Sequence, residues 1–105
     1  MEYSKSMFEY WTEDDFASSF RKMLTIEQFR SEEMQKLYQQ YLVAGPASYV
    51  KDLFDSMGFT NAKDKAVRFY AVMHFYYSLY DGAEDKENVK DEFVSAIKSL
   101  VQDLK

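Results

Sequence analysis

The sequence has no cysteine, a single histidine, a single proline and three glycines among 105 residues. Without cysteine there is no disulfide framework, no thiolate nucleophile and no thiolate metal ligand. With His74 as the sole imidazole, a zinc site would rest on carboxylates, an uncommon arrangement, so neither a metal nor a cofactor is expected. No glycine-rich phosphate loop is present. No apolar run approaches the roughly 20 residues of a membrane span. The opening MEYSKSMFEYW lacks a basic-then-apolar signal pattern. The expectation is a cytoplasmic protein with no membrane partner. Concentrated positive charge is missing as well. Thirteen Lys and Arg are scattered from Lys5 to Lys105 against eighteen acids, giving a net charge of −5. Phosphate backbones are bound by clustered cations, so this chain by itself is a poor nucleic-acid ligand.

What is abundant is aromatic and apolar surface. The chain is 47% hydrophobic, 30% charged and 18% aromatic, the balance of one globular domain spanning residues 1–105. No segment alternates like a strand, and the few glycines and the proline fall where helices start or stop. An all-α bundle of about five to six helices follows. A helix up to Trp11 is followed by one capped at Thr12, with Asp15 reaching back and the stripe Phe16, Phe20, Met23 and Leu24. Ser31 opens a helix with Met34, Leu37, Tyr38, Tyr41 and Leu42 on one face. Gly45-Pro46 separates it from the next, since Pro46 suits a first helical turn. Val50, Leu53, Phe54 and Met57 form that helix's face, and Gly58 closes it. Asn61 caps AVRFYAVMHFYYSLYDG, a helix apolar all round, which Asp81-Gly82 closes. Asp85 caps the last helix, whose apolar arc runs from Val89 to Leu104. These two final helices carry more apolar surface than three short amphipathic helices can cover. A twofold partner presenting the same pair would complete a four-helix bundle.

Three segments read together as one pattern: WTEDDFASSFRKMLTIEQFR, then LYQQYLVAGPASYVKDLF, then KAVRFYAVMHFYYSLYDG with one amphipathic helix after it. This pattern resembles the C-terminal regulatory domain of TetR-family transcriptional repressors over roughly residues 8 to 104. The resemblance implies a bacterial regulator domain that encloses a small-molecule effector and dimerises through its last two helices. Residues 62 to 81 and 86 to 104 would then form the homodimer interface, with Phe75, Phe93, Ile97, Leu100, Val101 and Leu104 as its core. The departure is the helix-turn-helix domain, for which there is no room before Trp11. Operator DNA would be bound only through that absent domain, and the chain would be an isolated effector and dimerisation domain or a fragment of a longer regulator.

Candidate ligand contacts are Phe20, Phe29, Tyr38, Tyr41, Tyr49, Phe54, Tyr70, Met73, His74 and Tyr77, which either line a cavity or fill the core. Tyr70, Met73 and Tyr77 recur at three- and four-residue spacing and so share one face. The expected cavity lies among the helix from Thr12, the segment from Phe29 to Tyr41, the helix after Pro46 and this face. With no buried Arg or Lys cluster evident, its effector would be small and largely apolar. His74 either contacts that ligand or bonds a Tyr hydroxyl or a carbonyl between helices. The acidic runs Glu13-Asp14-Asp15, Glu32-Glu33 and Glu84-Asp85 sit at helix starts, where the helix dipole explains them. Ser18, Ser19 and Ser78 have no neighbouring base. No catalytic residue and no enzyme activity are expected. The alternative function is a helical protein–protein interaction module without a small-molecule ligand, monomeric until its partner arrives.

Overall fold

The computed structural model describes residues 2–104. It is an all-α bundle with no strand among the described residues. The elements are α1 (Glu2–Glu13), α2 (Asp15–Glu27), α3 (Glu32–Tyr38), a π-helical turn (Gln39–Val43), α4 (Ala44–Ser56), α5 (Ala62–Gly82) and α6 (Lys86–Leu104). Because α3, the π-turn and α4 follow one another without a break, the bundle contains five helical rods.

Each boundary has a local cause. The first turn corrects the expected cap. α1 runs through Thr12, whose buried hydroxyl donates back to the Phe8 carbonyl at 2.6 Å. Asp14 is the N-cap of α2 instead, accepting from the Ala17 N–H at 2.8 Å. Ser31 caps α3 as expected, accepting from the Met34 N–H at 3.1 Å. α4 ends in a Schellman motif. Gly58 takes φ 81°, its N–H donates to the Asp55 carbonyl, and the Phe59 N–H donates to the Phe54 carbonyl, both at 3.0 Å. The Phe54 and Phe59 rings meet at 5.1 Å across that turn, which is the apolar contact the motif favours. Asn61 precedes α5 in the left-handed region, φ 52°, with no side-chain capping bond. Asp85 caps α6 by accepting from the Asn88 N–H at 3.0 Å.

The main core lies between α1, α4, α5 and α6 and contains Phe8, Val50, Phe54, Phe69, Met73, Tyr77, Phe93 and Ile97. Phe8 of α1 is its hub. Its ring stacks on Phe93 at 4.2 Å and on Tyr77 at 5.9 Å, and meets Tyr80 edge-on at 5.7 Å. Lys90 of α6 ties the same helices at their edge through Glu9 and Glu13, at 3.1 and 2.7 Å. α1 therefore covers much of the apolar surface that the sequence reading assigned to a partner. A second, smaller core joins Leu24 of α2 to Tyr38 and Leu42, with Trp11 and Phe20 against it.

This packing redistributes the expected dimer residues. Phe93, Ile97 and Leu104 are buried within the chain, and Leu100 and Val101 are half-buried against the same core. Of that set, Phe75 alone is broadly exposed, at 59%. The physical reason is α1, whose Phe8 ring stacks on Phe93 within the chain.

Candidate functional site

The local anomaly that builds a site is the stretch QQYLVAGP. Gln39–Val43 form the π-turn, and α4 starts immediately with Gly45 and Pro46 in its first turn. Gly45 lies inside a continuous rod and does not end a helix, contrary to the break expected at Gly45-Pro46. It is required because a Cβ at that position would fall on the Gln40 carbonyl, a backbone group that cannot swing aside. Pro46 brings no N–H, so the Leu42 carbonyl one turn earlier loses its usual helical donor. The Tyr70 hydroxyl replaces it, donating to Leu42 O at 2.6 Å. That bond is buried and holds the widened turn over the middle of α5.

Between this turn, α1, α4 and α5 lies a cleft of about 370 Å³. Its floor is Tyr70, Met73 and Tyr77 of α5. Tyr41 and Tyr49 stand on one side, and Tyr3, Met7 and Trp11 of α1 on the other. Tyr3 and Tyr49 close one end ring to ring, 5.5 Å apart. Five of the ten expected ligand residues thus meet in one place: Tyr41, Tyr49, Tyr70, Met73 and Tyr77. The wall contributed by α1 replaces the one expected from the helix after Thr12, because the chain turns at Asp14 and α1 lies across α5. Tyr3, Met7 and Trp11 escaped the sequence reading, although their four-residue spacing marks one helical face.

The other expected residues lie elsewhere. Tyr38 and His74 line an adjacent apolar groove of about 550 Å³ between α3–α4 and α5, which also contains Tyr70 and Phe75. There the Tyr38 hydroxyl and His74 Nε2 are 3.2 Å apart, the interhelical bond to a tyrosine that the sequence reading offered for this histidine. Phe20 packs in the smaller core, edge-on to Tyr41 at 5.6 Å. Phe54 is core, between Phe59 and Phe69. Phe29 occupies the turn after α2, is 83% exposed and lines none of these clefts.

Electrostatically the α5 face is quiet but not neutral. Burial, reinforced by the neighbouring tyrosines, holds the Tyr70 and Tyr77 hydroxyls well above the ordinary phenol value, so both remain protonated donors. Burial, and then the Arg21 charge, hold His74 below its ordinary 6.5, favouring the neutral ring. Arg21 is the feature the sequence reading missed. It is 5% exposed, bound to Asp81 Oδ1 at 2.7 Å and the Trp11 carbonyl at 3.0 Å, with its guanidinium 5.5 Å from the Tyr77 ring centre. An arginine sixty positions from its partner gives no sequence signal of that pairing.

Among the described residues no group of His, Cys, Asp and Glu is arranged to hold a metal ion, and no helix is long and apolar enough to cross a membrane. No protein-family model, no curated protein and no solved structure matches this chain.

Proposed function

We propose that the chain is the effector-sensing domain of a transcriptional regulator of TetR type, and that the tyrosine-lined cleft is its effector site. The supporting observation is the cleft itself. It is a concave site of small-molecule size, apolar in its floor and walls, with phenol hydroxyls as the orienting groups. Its walls come from α1, the π-turn and α4, so an effector there touches elements that also pack on α5. Binding would shift the relative positions of α1 and α4, and operator binding would fall to a helix-turn-helix outside these residues. The effector is small and mainly apolar, and a thermal-shift screen of such compounds tests the reading. Hits should stabilise the unmodified chain, and Met73→Trp in the floor or Met7→Trp in the wall should abolish the shift. Equal stabilisation of all three proteins places the ligand elsewhere and removes the support.

A second reading is favoured by one observation: Val67, Phe75 and Leu79 are 52%, 59% and 39% exposed along α5. An interaction module would use this stripe, as would a homodimer, now that Phe93 and Ile97 serve the internal core. Sedimentation separates the two. Self-association at micromolar concentration supports the regulator dimer, and a monomer that assembles only with a different protein supports the module.

A further inference from the structure

Tyr77 also borders a different cleft, of about 470 Å³, between the second half of α2 and the last turns of α5. Arg21, Lys22 and Ile26 line it from α2, and Tyr77, Ser78 and Asp81 from α5. Arg21 is held in one orientation by three partners. Nε donates to the Trp11 carbonyl, Nη2 to Asp81, and the guanidinium lies over the Tyr77 ring. Nη1 makes no hydrogen bond among the described residues. Arg21 is one of the residues that line the cleft, and Nη1 is its one guanidinium nitrogen without a hydrogen bond there. Lys22 Nζ stands 4.0 Å from the same Asp81 oxygen and is half exposed. His74 also lines the cleft as a neutral ring, so the lining holds two cations against one carboxylate, a positive spot on a chain of net charge −5. The negative end of α5 does not cancel it, because Lys86 Nζ donates to the Tyr80 and Asp81 carbonyls at 2.6 and 3.4 Å.

We propose that this cleft binds a monoanionic carboxylate carrying a short apolar body. Its carboxylate accepts from Arg21 Nη1 and Lys22 Nζ, and its apolar body lies on Ile26 and the edge of Tyr77. Preorganised guanidinium donors suit a carboxylate because the charged hydrogen bonds form without further ordering of the side chain. Charge balance selects a monoanion. With Asp81 in place, one added negative charge brings the cleft to neutrality, whereas a phosphate dianion would meet an excess of like charge. A cationic ligand would have to displace Arg21 from Asp81 and leave a buried guanidinium unpaired, which is costly. The site differs in place and ligand chemistry from the tyrosine-lined cleft and stands whether or not that cleft binds an effector.

Calorimetric titration of the 105-residue chain with octanoate, octanamide and inorganic phosphate tests it. Octanoate should bind about tenfold or more tightly than its neutral amide, the worth of one charged hydrogen bond, and phosphate should give no saturable heat. Lys22→Gln, at an exposed position, should weaken octanoate about two- to fivefold, and Asp81→Asn should tighten it by removing the competing anion. Equal affinity for acid and amide, phosphate binding as tightly as octanoate, or octanoate affinity indifferent to Lys22→Gln would each overturn the proposal. If Asp81→Asn lowers the melting temperature too far for titration, the Lys22→Gln result still decides.

Discussion

The Tyr70 hydroxyl shows how one atom can hold a backbone irregularity. It serves the carbonyl that Pro46 leaves without a donor, in a buried setting where an unpaired carbonyl is expensive. Tyr70→Phe should therefore cost about 1–3 kcal/mol in denaturant unfolding. Adding Pro46→Ala should recover part of that loss, because alanine restores an N–H able to reach Leu42. Two independent, additive losses would show that the bond and the proline are not linked. His74 gives a pH-dependent counterpart. Its folded value lies below 6.5, so in the window beneath 6.5 the unfolded chain binds a proton that the folded chain does not. Stability should fall as pH drops from 6.5 through that folded value, and it should be fully present above 6.5. Melting temperatures of the parent and His74→Gln should diverge above this window and converge within it. A parallel decline in both proteins would assign the effect to other groups.

Among the elements, the α3–π–α4 rod and α1 carry the most consequence. Gly45 is the position where the rod tolerates no side chain, since the obstructing atom is backbone. Gly45→Ala should cost about 2 kcal/mol or more, and the π-turn must rearrange to admit the methyl group. Circular dichroism should retain helix content while the melting temperature falls, whereas an unaltered melting temperature would contradict the close approach. α1 is held by Phe8 in the core and by Lys90 at the edge. Phe8→Ala should cost about 3–5 kcal/mol by denaturant unfolding, because Phe93, Tyr77 and Tyr80 all lose a ring contact. Lys90→Met should cost less, about 1 kcal/mol, as the pair network is partly solvated.

The whole molecule measures 39 × 34 × 17 Å across its Cα atoms, a plate about two helix layers thick at ordinary interhelical spacing. In such a plate a helix apolar on every side must leave one face open, and on α5 that face carries Val67, Phe75 and Leu79. Phe75→Asp should leave the fold and melting temperature nearly unchanged while abolishing any self-association seen by sedimentation. Ile97→Asp should unfold the chain outright, because Ile97 is fully buried. If Phe75→Asp destabilises as severely as Ile97→Asp, the exposed face has been misread.

Helix identity was written locally. Gly58, Ser31 and Asp85 act on backbone groups within three residues of themselves, and the spacing of Tyr70, Met73 and Tyr77 places them on one face whatever lies opposite. Those features follow from the chain alone because their partners are near in sequence. The π-turn was not visible, since Gly45-Pro46 reads equally as a break between helices, and only Tyr70, twenty-four residues beyond Pro46, supplies the bond that keeps the rod continuous. Which helix covers α5 was likewise undetermined. The apolar excess called for a cover, and hydrophobic burial is non-directional, so it could not tell a partner's helix from α1. Tertiary structure decided both, along with the pairing of Arg21 and Asp81, because each depends on groups brought together across the fold by packing that no local pattern encodes.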